Sequence, residues 1–165
     1  MQADNTDTMS ALIVPVAGGE HLAMVRQLFE EYWQSFGFAP CFQNFAAEVA
    51  GLPGHYAPPG GRLALALEGG TPAGSIALRP YDSTRAEAKR LYVRPQFRGR
   101  GIGLALLQWV IREARAANYR EMLGDTMPVM RRALEMYARL GFVQTGPYRP
   151  DATPGAIYLR LDLRS

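Results

Sequence analysis

The apolar positions of the chain fall into two rhythms. From Glu20 to Phe36 they recur at helical spacing, as Leu22, Val25, Leu28, Phe29, Tyr32 and Trp33, and Gly37 offers a stop. A second stripe, Leu104, Leu107, Val110, Ile111 and Ala114, marks a helix that runs to about Ala117. Between them lie three strand-like runs, Arg62–Glu68, Ala73–Tyr81 and Glu87–Val93. Gly69-Gly70 supplies the tight turn between the first two, and Pro95 ends the third. Leu12–Val16 reads as a strand, Asn44–Ala50 as a short helix and Arg120–Asp125 as a short strand. A helix follows over Pro128–Leu140, with Pro128 in its first turn and Gly141 as its C-terminal cap. Phe142–Thr145 and Ala156–Leu163 close the chain as strands. The predicted order is β-α-α-β-β-β-α-β-α-β-β, a mixed α/β domain over residues 9–165 behind a disordered start at 1–8. No internal repeat or linker interrupts it. The breakers between Gly51 and Gly61 predict a mobile lid.

Composition narrows the class. The chain has 165 residues, 48% hydrophobic and 20% charged, enough for one self-sufficient core and too apolar for a disordered protein. Cys41 is the sole cysteine and His21 and His55 lie far apart, which excludes an internal disulfide, a Cys-rich zinc site and an HExxH pair; no metal is expected. No apolar run reaches the roughly 18 residues of a membrane span. The polar, acidic start is unlike a secretory signal, so a cytoplasmic protein without a membrane partner is expected.

Charge is unevenly placed. Arg79, Arg85, Lys89, Arg90, Arg94, Arg98 and Arg100 are opposed within their own stretch only by Asp82 and Glu87, while the whole chain carries +3. Such a field suits a polyanionic ligand, or else is a solvated surface. Within it, Arg98-Gly-Arg-Gly-Ile-Gly103 stands between a strand and a helix. There, glycines let a ligand approach the backbone, and the free amides of the helix start attract phosphate. No Gly-Lys-Ser/Thr follows, so it is not a Walker P-loop, and the G-x-G-x-x-G spacing of a dinucleotide fold is not met. No recognition helix or aromatic RNA-binding motif appears, and no nucleic-acid partner is expected.

The segment from Val93 to Leu107 resembles the signature of the GNAT superfamily of N-acetyltransferases, Arg/Gln-x-x-Gly-x-Gly/Ala, matched by Arg98, Gly101 and Gly103. Ala133-Leu-Glu-Met-Tyr-Ala-Arg-Leu-Gly-Phe142 resembles the family's A-x-x-x-Y-x-x-x-G-F helix end. Bacterial members reading E-x-K-R-L-Y-V-x-P, D-T-x-P and P-G-A-x-Y-L-x-L-D-L are similar at Glu87–Pro95, Asp125–Pro128 and Pro154–Leu163. The resemblance implies a mostly antiparallel central sheet with a splayed parallel pair and helices on both faces.

It also implies an acetyl-CoA-dependent N-acetyltransferase, acting on a primary amine of a small molecule, amino acid or peptide by direct attack in a ternary complex. The other reading is a non-catalytic acyl-CoA-binding sensor. Amides of Arg98, Gly99, Arg100, Gly101, Ile102, Gly103 and Leu104 would hold the pyrophosphate. The backbone of Leu91, Tyr92 and Val93 would pair with the pantetheine arm, and N–H groups at the splay would stabilise an oxyanion. Tyr137 matches the family's general acid for the departing thiolate, although the residues alone favour a core tyrosine on the side of Ala133, Leu134 and Leu140. Glu87 matches the base of some members, while others use a water chain; from the residues alone it is a carboxylate neutralising Lys89 or Arg90. It lies four residues before Leu91, which on a regular strand places both on one face. Where the family often has an asparagine on the tyrosine helix, this chain has Met130. A homodimer is compatible with the resemblance.

The acceptor is expected between the first helical region and the facing strands. Tyr32, Trp33, Phe36, Phe38, Phe42 and Phe45 supply aromatic surface there, whether for the acceptor or for packing of two helices. Tyr148 and Arg149 are candidates for the opposite wall, and Arg79 or Arg149 for reading a substrate carboxylate. Tyr32, Arg79 and Tyr148 are the substrate-side candidates. Cys41 lies outside both motifs and is not proposed as a nucleophile.

Overall fold

The computed structural model describes residues 11–35, 42–150 and 154–164. The disordered start expected at residues 1–8, Phe36, Phe38, Cys41 and the side chain of Phe42 lie outside them.

Among the described residues, seven strands form one sheet: β1 (Leu12–Pro15), β2 (Arg62–Glu68), β3 (Thr71–Pro80), β4 (Arg85–Val93), β5 (Glu121–Thr126), β6 (Val143–Thr145) and β7 (Ile157–Asp162). Their spatial order is β1-β2-β3-β4-β5-β7-β6, and every neighbouring pair is antiparallel except β4 and β5. The helices are α1 (Gly19–Gln34), α2 (Phe42–Ala50), α3 (Ile102–Ala116) and α4 (Arg131–Arg139). The element order is the one predicted.

Apolar periodicity decides which face each helix covers. Ile102, Leu106, Leu107, Val110, Ile111 and Ala114 bury the stripe of α3 against Ala64, Ala66, Ile76, Leu78, Ala86 and Ala88 of the sheet. Leu22, Val25, Leu28 and Phe29 of α1 pack with Phe45 and Val49 of α2 on the other face, over Leu63, Leu65 and Ala77. Each fully buried leucine or phenylalanine contributes about 1.5–3 kcal/mol, so these two stripes fix the helices on opposite sides.

One irregularity shapes everything downstream. The register passes from Ser75↔Tyr92 to Ala77↔Lys89, so two steps on β3 span three on β4. The extra residue lies at Arg90–Leu91, and Arg90 takes φ +62, the left-handed region that side chains avoid. Its guanidinium holds the carboxylate of Glu48 with two hydrogen bonds, Nε at 2.9 Å and Nη2 at 3.1 Å, and lies over the ring of Phe45. These contacts offset the strain.

The bulge reverses the alternation of β4. Ala86 and Ala88 face the α3 core, and beyond the bulge so do Leu91 and Val93, while Tyr92 joins the α1 side. Glu87 therefore does not share a face with Leu91, as a regular strand would require; it shares one with Lys89. The parallel ladder between β4 and β5 stops at the same place, with its last partners Glu87↔Leu123. Past it the strands part.

Two local expectations differ. α4 begins at Arg131, not Pro128: a turn closed by the Met130 N–H on the Met127 carbonyl, 2.9 Å, precedes it, and Met130 has non-helical angles. The segment Gly51–Gly61 is not a free lid. Leu52 and Tyr56 are buried in the α1-side core, the Tyr56 hydroxyl donates to Glu48 at 3.0 Å, and Tyr119 donates to the Gly60 carbonyl at 2.8 Å. Among the described residues, no helix is long and apolar enough to cross a membrane.

Candidate active site

Three features converge on the place where β4 and β5 part: the start of α3, the tyrosine of α4 and a cluster of charges on the α1 side. The first follows from glycine. Gly99 and Gly101 take φ of +81 and +80, with open space where a Cβ would stand. The first intrahelical bond runs from the Ala105 N–H to the Gly101 carbonyl, and no side chain caps the helix. The amides of its first turn thus lack helical acceptors and point at the loop, where the helix dipole adds positive potential. Arg98 and Arg100 flank this turn. Arg98 donates to the Val93 carbonyl at 3.0 Å, and Arg100 pairs with Glu68 at 2.9 Å. Gly103 has a different reason: a Cβ there would meet Met136 of α4 at 3.4 Å, so it serves helix packing. Ile102 is buried in the core and Leu104 is half-buried.

Tyr137 occupies the split itself. A Cβ on Gly124 of β5 would lie 4.0 Å from both the Tyr137 ring and the Ala88 carbonyl of β4. The ring packs edge-on against Phe142 with centroids 5.0 Å apart. Tyr137 belongs to the α3-side core, yet its hydroxyl feels groups on the opposite side. Burial, then the charges of Tyr32 and Asp125, push its pKa well above the ordinary tyrosine value. It stays protonated at every physiological pH. The packing role and the position in the split coexist in one residue.

On the α1 side the centre is Glu87, fully buried. Arg79 donates to its Oε1 at 2.9 Å, Tyr148 donates to its Oε2 at 2.7 Å, and Arg149 and Lys89 stand 3.5 and 3.9 Å from Oε2. Burial alone would raise its pKa. The charge of Lys89, the Tyr148 hydrogen bond, Arg149 and Arg79 overcome burial and hold it below the usual carboxylate range. A carboxylate stabilised in this way is a poor proton acceptor, a difficulty for the base role that the resemblance implies. Arg149 also pairs with Asp125. Tyr148 is held in place by edge-on contacts with Tyr81 and Tyr158 and by the Tyr81 hydroxyl, which donates to its carbonyl at 2.6 Å.

The sequence-predicted residues thus separate into groups. Arg79 and Tyr148 meet at Glu87, and the residues Leu91, Tyr92 and Val93 lie on the stretch of β4 beyond its last pairing with β5. Tyr32 lies edge-on to Tyr92 at 6.0 Å, its pKa pushed up to about 12 by burial. Trp33 and Phe45 stack at 4.4 Å, which makes them packing between α1 and α2. Sequence reasoning missed Asp125 and the grouping of Glu48, Tyr56 and Arg90, since no spacing joins residues 42 positions apart. Met130 accepts a contact from the Thr126 hydroxyl at 3.5 Å. Among the described residues, no cluster of three or more His, Cys, Asp or Glu could hold a metal ion.

The sequence model of the acetyltransferase (GNAT) family matches residues 22–142. An uncharacterized N-acetyltransferase of Schizosaccharomyces pombe is 33% identical over 165 residues, covering 99% of both chains. The fold is similar to that of an acetyltransferase from Streptococcus agalactiae, with a TM-score of 0.77 and 22% identity over 93% of this chain and 98% of that one. It is also similar to a GNAT acetyltransferase from Elizabethkingia anophelis solved with acetyl-CoA bound, with a TM-score of 0.60 and 22% identity over 93% and 98%.

Proposed function

The chain belongs to the acetyltransferase (GNAT) family, and from that premise we propose that it moves an acetyl group from acetyl-CoA to a primary amine of a small molecule, amino acid or peptide by direct attack in a ternary complex. The residues present fit the donor. An uncapped helix start beside Arg98 and Arg100 suits a pyrophosphate, and the unpaired edge of β4 from Ala88 to Val93 suits an extended amide-bearing arm. When bound, acetyl-CoA supplies the activated thioester.

The observation that carries the reading is Tyr137 in the split between β4 and β5. The hydroxyl is protonated at neutral pH and donates to the thiolate as its charge develops, which offsets the weaker acidity that the raised pKa brings; the attacking amine gives its proton to water, and solvent reprotonates Tyr137. Glu87 acts here as an ionised anchor, not as the base: it positions Arg79, Lys89, Tyr148 and Arg149 along the acceptor side. Tyr137→Phe keeps the ring and its packing and removes only the hydroxyl. Turnover, read as release of the CoA thiol, is expected to fall by about 10²–10⁴-fold, with acetyl-CoA affinity changed by less than about threefold. An unchanged kcat would remove Tyr137 from the chemistry. Acetyl-CoA binding without turnover of any amine would leave the sensor reading in its place.

A further inference from the structure

The part of β4 that has lost its β5 partner is held from the α1 side by two clamps. Arg90 donates to Glu48 of α2 from Nε at 2.9 Å and from Nη2 at 3.1 Å. Arg94, directly after the strand, donates to Glu31 of α1 from Nε at 2.9 Å and from Nη2 at 2.8 Å, and its Nη1 reaches the Pro72 carbonyl of β3 at 3.0 Å. Leu91, Tyr92 and Val93 lie between the two arginines. One edge of this stretch still pairs with β3, through Ser75↔Tyr92 and Gly74↔Val93, so the helices act on a strand that is anchored on one side only. Both clamps are two-pronged and half-buried, the geometry in which a carboxylate fixes the orientation of a guanidinium most firmly.

The two arginines differ in what they need. Arg94 has φ −56, which any residue adopts, whereas Arg90 has φ +62, which an arginine holds only where its surroundings over-determine it. Glu48 is suited to that task because it is itself held: the Tyr56 hydroxyl, from a buried side chain, donates to its Oε1 at 3.0 Å. The left-handed residue also sits at the bulge, immediately before the backbone groups assigned to the donor.

We infer that Glu48 is a positioning residue for acetyl-CoA: its grip on Arg90 keeps the bulge in place and so aims the backbone of Leu91, Tyr92 and Val93 at the donor. The inference rests on the acetyl-transfer reading above and ties the donor strand to a helix of the acceptor side. Without the grip, Arg90 relaxes toward negative φ and the peptide groups that follow it rotate away from the arm they would bind. Glu48 takes no part in bond making or proton transfer.

The test is a double-variant cycle on the full chain, with acetyl-CoA affinity read by calorimetry. Glu48→Gln keeps the size of the side chain, but one oxygen must then serve three donors, the Arg90 Nε and Nη2 and the Tyr56 hydroxyl. Arg90→Gly is the complementary change, since glycine adopts φ +62 without a clamp. In the Arg90 protein, Glu48→Gln is expected to weaken acetyl-CoA about tenfold, because only the fraction with Arg90 left-handed binds. In the Arg90→Gly protein the same change is expected to cost less than about twofold. In turnover the loss falls on KM for acetyl-CoA more than on kcat, since saturating donor restores the competent form. Glu48→Asp, which keeps both oxygens and shortens their reach, repeats the comparison with the charge retained, and the melting temperature of each free protein checks that it is folded. Equal weakening in both backgrounds, as a packing role alone would give, overturns the inference and leaves the transfer reading intact. So does no weakening in either, or an Arg90→Gly protein that binds no acetyl-CoA. Wild-type protein that binds no acetyl-CoA overturns the transfer reading and this inference with it.

Discussion

Raising the pH from 7 to 9.5 is expected to stabilise the fold by about 2 kcal/mol through Lys89 alone. Burial, opposed by Glu87 and reinforced by Arg149 and Arg79, pushes the Lys89 pKa from 10.5 down to about 8. The sign follows from proton binding. Below about 8 both folded and unfolded chains hold the proton, and the folded state carries the full desolvation penalty. Between about 8 and 10.5 the unfolded chain holds it more firmly, so stability rises with pH; above that the penalty is gone. The whole span corresponds to about 3 kcal/mol, of which roughly two-thirds falls below pH 9.5. Tyrosines, which begin to ionise in the unfolded chain near the top of this window, are shared by both proteins and cancel in their difference, and carboxylates and guanidiniums do not change charge in it. Urea unfolding of the wild type and of Lys89→Met at half-unit steps isolates the effect, because Cys41 is present in both proteins and cancels. The wild-type midpoint is expected to climb relative to the variant, with the m-value unchanged. Parallel curves for the two proteins would refute the argument that Lys89 is a buried, poorly compensated cation.

Two glycines give further checks. Gly74→Ala would place a Cβ 2.6 Å from the Tyr92 carbonyl and 3.2 Å from Leu106, so the β3–β4 ladder must shift. A loss of about 1–3 kcal/mol in urea unfolding is expected, and a neutral result would contradict the close strand packing at the bulge. Gly101→Ala meets no neighbour but must hold φ +80, at a strain of about 1–2 kcal/mol. If the α3 start binds the pyrophosphate, relief of that strain moves the amides and weakens acetyl-CoA affinity several-fold by calorimetry, with kcat at saturation little changed.

The elements were readable because periodicity reports burial. The stripes of α1 and α3 and the strand runs β2 to β4 all occur where the pattern places them, β2 with both ends as predicted and the other ends shifted by at most two residues. The shifts have local causes. β4 starts at Arg85 because Asp82 accepts hydrogen bonds from the Thr84 and Arg85 amides at 2.9 and 2.7 Å, closing the turn earlier than the apolar pattern suggests. The charge cluster was only half readable. Arg79, Glu87 and Tyr148 were singled out one by one, but their meeting depends on which face each residue takes. One inserted residue near Arg90 changes that answer for the rest of β4. Nothing in the string Lys89-Arg90-Leu91 announces a left-handed residue, since arginine has no preference for one. What holds it is Glu48 of α2, a long-range partner that a linear reading does not supply.

The same long-range pairing redistributes the basic stretch. As a string, its seven positive residues look like one field for a polyanion. Folded, Arg85 pairs with Asp82, Arg90 with Glu48, Arg94 with Glu31 and Arg79 with Glu87, three of these pairs drawing the partner from another element. Among the described residues, the basic groups of the stretch are least tightly paired in two places. One is the α3 start, where Arg98 bonds a carbonyl in place of a carboxylate and Arg100 is largely exposed beside Glu68. The other is Lys89, 3.9 Å from Glu87. The two lie at opposite ends of the stretch of β4 that has lost its β5 partner, and the bulge turns Glu87 and Lys89 away from Leu91 to the other face of the sheet. With β4 in regular alternation, Glu87, Lys89, Leu91 and Val93 would all point the same way, and the charged cluster would compete with the α3 core for one face.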